Sequence, residues 1–166
     1  MTLPSYPLAQ VIEVKQRRVE EAEKAVRQKQ EALLEEEKKL KKAEDQRDKA
    51  KQHRNDKLQQ LRDYIDADDM NPDKVLQMKA YLDLVKQKLL EEEEKVKKQA
   101  LAVEEAKKNL QAAKDFLKEK EKEVDKLQTH REEWLKQAKK ELELKETIEL
   151  DEIGSIMFLK KLREKQ

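Results

Sequence analysis

The stretch that decides the fold is DADDMNP, residues 66–72, which separates two long runs of heptad repeat. Before it, an apolar residue recurs at nearly every seventh position from Ile12, and after it the same repeat starts at Val75. The repeat loses its phase inside the stretch, where Asn71 can cap a helix whose first position is Pro72. The sequence therefore predicts two long helices joined by a short turn.

A short connection between two helices makes them antiparallel neighbours. The predicted fold class is therefore all-α: two long helices in an antiparallel coiled-coil hairpin with a helical C-terminal overhang. We expect a single elongated hairpin domain over residues 1–166, with helix 1 at about 7–67, the turn at 68–71 and helix 2 at about 72–163. A register with Tyr64 opposite Val75 aligns apolar positions along most of the seam and sets Arg47 opposite Glu92, a charge match.

The overhang comprises the residues beyond about 134, because in this register Pro7 faces the chain at about residue 132. Apolar residues are frequent there although no facing helix is left to cover them, and exposed apolar surface usually marks a binding site. We name this surface the open end, and its residues are Trp134, Leu150, Ile153, Ile156, Met157, Phe158 and Leu159.

The composition excludes several classes of protein. The 39 Lys and Arg residues are balanced by 38 Asp and Glu residues with both signs interspersed, so no basic face for nucleic acid is predicted. The apolar runs are too short for direct membrane insertion and the N-terminus lacks a signal-peptide pattern, so a cytoplasmic location is expected. Many Glu residues precede a Lys by four positions, a spacing that supports helix formation.

Catalytic and metal chemistry are not predicted. The chain contains no Cys and one Gly, and no nucleophile, base and orienting residue can be assembled into a triad. His53 and His130 would lie many helical turns apart in the predicted register, so both are expected in solvent rather than at a metal. We therefore expect a non-enzymatic protein without cofactors.

Three short segments resemble one known family. They are Leu61-x-x-Tyr64 before the turn, Tyr81-Leu82-x-x-Val85 after it, and LDEI at residues 150–153. With the two heptad helices they are similar to the YscO/FliJ family of type III secretion and flagellar export, most of all to its chlamydial YscO-like members. The resemblance implies a cytoplasmic, stalk-like hairpin, peripheral to the secretion apparatus. It would work between the hexameric secretion ATPase and the cytosolic domain of the export gate, and would escort secretion chaperones.

The resemblance also implies where partners bind. In flagellar relatives an aromatic and aliphatic cluster near the hairpin tip contacts the gate, and the matching residues here, named the tip cluster, are Leu61, Tyr64, Tyr81 and Val85. Leu61 and Val85 also lie on the heptad seam, so packing between the helices is the alternative for both. Tyr81 lies off the seam, which makes it the best single candidate for partner contact. The open end, together with the start of helix 1 near Leu8 to Val19, is expected to engage the ATPase, with self-association or chaperone binding as the alternative.

Other functions remain open on the sequence. The main alternative is a generic cytoplasmic coiled-coil scaffold or spacer, although a spacer would not need an apolar overhang. A coiled-coil arm that binds structured RNA would concentrate basic residues on one surface, and the even mixture of Glu and Lys argues against it. A disordered polyampholyte would not repeat an apolar residue at every seventh position so persistently.

Overall fold

Two helices account for nearly all of the structure, a computed structural model that describes residues 2–166. Helix α1 spans Ala9–Ile65 and helix α2 spans Pro72–Glu164. The predicted all-α helical hairpin is confirmed. Helix α1 begins two residues later and ends two residues earlier than expected, whereas α2 begins at the predicted proline. Neither helix contains an apolar run long enough to cross a bilayer within the described residues.

The turn between the helices is held by the predicted cap. The Asn71 side-chain oxygen accepts a hydrogen bond from the backbone N–H of Asp73 at 3.0 Å, and the Asn71 carbonyl accepts from the N–H of Val75 at 3.1 Å. Pro72 fits the first helical position because its missing N–H would have no partner within the helix. The cap therefore satisfies backbone donors that the start of α2 would otherwise leave unpaired.

Contacts divide the described residues into two compact units. We call residues 24–115 the turn unit, and residues 2–23 together with 116–166 the terminal unit. In the turn unit the buried apolar side chains are Val26, Leu61, Leu82, Val85, Leu89 and Val103, and in the terminal unit they are Tyr6, Ile12, Ala22 and Val124. All of these except Tyr6 occupy predicted seam positions, and each buried Val, Leu or Ile side chain stabilises its unit by roughly 1.5–3 kcal/mol. The single-domain expectation stays a prediction.

Cross-helix contacts in each unit lie within about one turn of the predicted register. In the turn unit the Gln99 amide donates to the Glu36 carbonyl at 3.0 Å and also to the Glu36 carboxylate. The Gln99 amide, with the Lys39 ammonium, holds the pKa of Glu36 below its usual value. In the terminal unit the Lys15 ammonium donates to Glu123 at 2.9 Å.

One charged layer of the seam differs from the prediction. The expected pairing of Arg47 with Glu92 is wrong, because the Arg47 guanidinium binds Asp48, its neighbour in sequence, at 3.1 Å. Glu92 is 8% exposed, and it pairs with Lys95 at 3.3 Å on its own helix. A guanidinium that turns to an exposed aspartate keeps its hydration, whereas a seam ion pair would lose it. The second Glu92 oxygen is buried and has no hydrogen-bond partner among the described residues.

Candidate partner-binding surfaces

The tip cluster does not form one surface. Leu61 and Val85 are each 6% exposed and belong to the packed core of the turn unit. A partner could not reach these two side chains unless the helices separated. The alternative role that the sequence allowed for both, packing between the helices, fits their burial. Within the tip cluster, a partner could therefore contact Tyr64 and Tyr81.

Tyr64 is half-buried and stabilises the turn. Its hydroxyl accepts a hydrogen bond from the backbone N–H of Asn71 at 3.0 Å. The ammonium of Lys74 lies 4.8 Å from the centre of the Tyr64 ring, within the range of a cation–π interaction. Because one edge holds the turn and a lysine covers one face, this ring already has a structural role.

Tyr81 is 47% exposed, the most accessible residue of the tip cluster. Its hydroxyl lies 3.1 Å from Nε2 of His53, and the two rings meet edge to face at 89°. The Lys57 ammonium is 5.6 Å from the centre of the Tyr81 ring. His53 is exposed as expected, but it is engaged with this tyrosine instead of being free in solvent. These contacts hold an exposed aromatic side chain in place before a partner arrives, which lowers the entropy cost of binding it.

The open end carries a long stretch of exposed apolar side chains. Between 53% and 68% of each surface is exposed in Leu150, Ile153, Ile156, Met157, Phe158 and Leu159. On a helix, Ile153, Ile156 and Met157 share a face, whereas Phe158 and Leu159 point to other sides. Apolar residues therefore surround this part of α2, an arrangement that water disfavours and that a partner could cover.

Trp134, at the inner boundary of the open end, is half-buried. Its ring packs edge-on against Tyr6, with ring centres 5.4 Å apart. Tyr6 also packs against His130, 5.7 Å between ring centres, and its hydroxyl hydrogen-bonds with Nδ1 of that histidine. Trp134 therefore closes the paired part of the terminal unit, and its predicted contact with a partner stays a prediction.

Sequence reasoning missed Tyr6, which is 7% exposed and lies before the start of α1. The heptad pattern applies to helical residues alone, so it gave this tyrosine no position. The available signal was an aromatic residue between Pro4 and Pro7, a composition that holds the chain extended ahead of a helix. The Tyr6 carbonyl then accepts from the N–H of Ala9 at 3.3 Å, at the first residue of α1.

A second contact supports this end of the molecule. The Lys15 ammonium from α1 and the Lys120 ammonium from α2 both donate to Glu123, and they hold the pKa of its carboxyl below the usual value. A carboxyl with a lowered pKa in the folded state contributes stability above its ordinary pKa. The contribution is lost as the pH falls through the folded-state value. This half-buried network therefore favours pairing at neutral pH.

Within residues 2–166, no group of His, Cys, Asp or Glu is placed to hold a metal ion.

A family model described as YscO-like protein matches residues 3–164. Among solved structures, a protein described as a YscO homolog from Chlamydia trachomatis is 42% identical, with a TM-score of 0.89. The match covers 98% of this chain and 99% of the other. No curated protein matches the chain significantly.

Proposed function

Since this chain belongs to the YscO-like family, whose members are associated with type III secretion, we propose that it is a non-enzymatic, stalk-like link between the secretion ATPase and the export gate. In this proposal the open end engages the ATPase hexamer and the tip engages the cytosolic domain of the gate. The protein would act in the cytoplasm, peripheral to the secretion apparatus. It would act by binding the ATPase and the export gate at the same time, without catalysing a reaction.

The observation that carries the proposal is the exposed apolar surface of the open end. Six of its residues are more than half exposed. Burying them in a partner would be favourable at about 25 cal/mol per Å² of apolar surface. A channel through a ring-shaped partner could cover several sides of a helix at once, whereas a flat partner would cover one. The family resemblance supplies the hexameric ATPase as that partner.

Secretion chaperones are a further proposed partner of the open end. A chaperone with an apolar groove could cover one side of α2 near Phe158 while leaving the other sides exposed. Self-association would cover the same residues. A generic scaffold or spacer remains the alternative function, but it gives no reason for apolar residues on several sides of a helix end.

The tip is proposed to bind the gate through Tyr81. Replacing Tyr81 with Ala is expected to weaken binding of the gate's cytosolic domain by about 1–2 kcal/mol, as loss of an exposed aromatic anchor does. The free energy of unfolding should change little, because the ring is already half in solvent. Titration calorimetry with the purified gate domain measures the first quantity, and urea unfolding measures the second.

Phe116→Ala is the matched control for this experiment. Phe116 is 50% exposed and carries a lysine, Lys120, at 5.1 Å from the ring centre, but it lies in the terminal unit. Gate binding should be unaffected by this change. Equal affinity for the Tyr81→Ala variant and the unmodified protein, or an equal loss in both variants, would remove gate binding through the tip.

A further inference from the structure

A groove of about 240 Å³ lies beside Tyr81 in the turn unit. Two residues of α1, Lys57 and Gln60, form one wall, and four residues of α2 form the rest: Lys74, Gln77, Met78 and Tyr81. Met78 is half-buried, and its flexible thioether side chain can adapt to different apolar groups. The groove therefore has an adaptable apolar residue, an exposed aromatic ring and polar groups at its rim.

Within residues 2–166, the two lysines of the groove have no acidic partner. Among the described residues, neither Lys57 nor Lys74 forms an ion pair with a carboxylate. Lys57, which is half-buried, donates to Gln60 at 3.2 Å, and each ammonium stands over a tyrosine ring. In the described structure, the lining of the groove thus carries two cations and no carboxylate.

The acidic residues near the turn lie outside the lining of the groove. Asp56 and Asp63 of α1 accept hydrogen bonds from glutamines of their own helix, each at 2.9 Å. The aspartates of the turn, residues 66, 68 and 69, do not line the groove. Two lysines close to an apolar pocket attract carboxylates, and the pocket between them suits one apolar side chain.

We propose that this groove binds an acidic segment of a partner protein, with one apolar side chain seated against Met78 and Tyr81 and flanking carboxylates paired with Lys57 and Lys74. The glutamines Gln60 and Gln77 can hydrogen-bond the backbone of such a segment. The inference deepens the proposed function, because it rests on the tip as a partner site and specifies the chemistry that the site recognises.

A labelled methionine tests the groove directly. The chain has four methionines, of which Met78 lines the groove and Met157 lies in the open end. With ¹³C-methyl methionine, a blocked Asp-Asp-Phe-Asp-Asp peptide is expected to shift the Met78 methyl resonance and to leave that of Met157 in place. The binding should weaken as salt is added, because ion pairs near the surface are screened.

Reversing the charges of Lys57 and Lys74 tests whether these two lysines bind the peptide. The Lys57→Glu/Lys74→Glu variant is expected to bind the peptide about tenfold or more weakly, since two attractions become repulsions. The matched control, Lys42→Glu/Lys108→Glu, reverses two exposed lysines of the same unit that lie outside the groove and should bind normally. Circular dichroism checks that both variants remain helical.

Several results would overturn the inference. They are no Met78 shift at millimolar peptide, an equal shift with Lys-Lys-Phe-Lys-Lys, and a stronger shift with a single-stranded oligonucleotide. Normal binding of the gate domain to Lys57→Glu/Lys74→Glu, with a loss for Tyr81→Ala, would also reject the groove chemistry while leaving the proposed function in place. A Met78 shift that depends on both lysines, without any gate binding, would support the groove and reject the gate as its partner.

Discussion

Ending the chain after Glu149 is expected to abolish stimulation of the secretion ATPase. The truncation removes six exposed apolar side chains of the open end and no buried ones, so the two units should keep their packing. The helical signal per residue and the cooperativity of thermal unfolding should therefore be nearly unchanged. ATP hydrolysis by the purified ATPase, measured across a range of concentrations of each protein, gives the functional result.

A subtler variant of the full chain separates loss of contact from loss of length. Ile156→Ser/Leu159→Ser removes two apolar side chains and should lower the stimulation strongly, whereas Lys160→Ser/Lys161→Ser, which changes two exposed charges, should not. Stimulation that survives truncation intact would exclude the open end as the ATPase contact. If truncation instead converts a dimer to a monomer in sedimentation velocity without changing stimulation, self-association is the role of this surface.

Tyr6→Ala is expected to destabilise the terminal unit by about 3 kcal/mol, near the lower limit for loss of a buried aromatic side chain. The substitution removes the packing against His130 and Trp134 and leaves apolar surface of Trp134 uncovered. Hydrogen exchange of the backbone amides in residues 9–23 measures the free energy of local opening. Exchange in residues 24–65, which lie in the turn unit, should change little.

Tyr6→Phe provides the control for this prediction. It keeps the ring contacts and removes the hydroxyl that bonds His130, so it should cost about 1 kcal/mol. Unchanged amide exchange at the start of α1 in the alanine variant would show that the segment before the helix does not stabilise it. The same result would remove Tyr6 as the residue that closes the terminal unit.

The helices and the turn could be predicted because their causes are local. A seventh-residue apolar repeat identifies the seam wherever the chain is helical, and Asn71 followed by Pro72 marks the start of α2. The heptad repeat could not predict the packing of Tyr6, because this residue lies in a non-helical segment. It contacts His130 of α2, which is more than a hundred positions away in the sequence. The ion pair of Arg47 was predicted wrongly because the heptad repeat fixes only the position of this residue on the seam. Its side chain can still pair with a residue of its own helix or of the facing helix.

The same limit applies to the binding surfaces. The repeat distinguished Leu61 and Val85, which lie on the seam and are buried, from Tyr81, which lies off the seam and is exposed. It could also identify the overhang as uncovered, because no facing residues remain. The groove beside Tyr81 could not be predicted, since it depends on which lysines of two different helices lack a carboxylate in the folded chain.

Local ion pairs show a related difference. The sequence favoured Glu–Lys pairs four residues apart, whereas the Glu–Lys ion pairs within one helix of the described structure join residues three apart, as in Glu36 with Lys39 and Glu104 with Lys107. Both spacings place side chains on neighbouring positions of the helix surface. Which of the two spacings forms an ion pair depends on the side-chain rotamers. Changing a rotamer at the surface costs little free energy. Predictions of helicity are insensitive to that choice.

A bridging experiment tests the proposed link most directly. The secretion ATPase is immobilised, the cytosolic domain of the export gate is added, and the retained gate domain is quantified with and without this protein. The proposed link predicts retention of the gate domain with the full chain, and a marked loss with Tyr81→Ala or with the chain ended after Glu149. Equal retention of the gate domain without this protein, or none when the full chain is present, would contradict a link between the two.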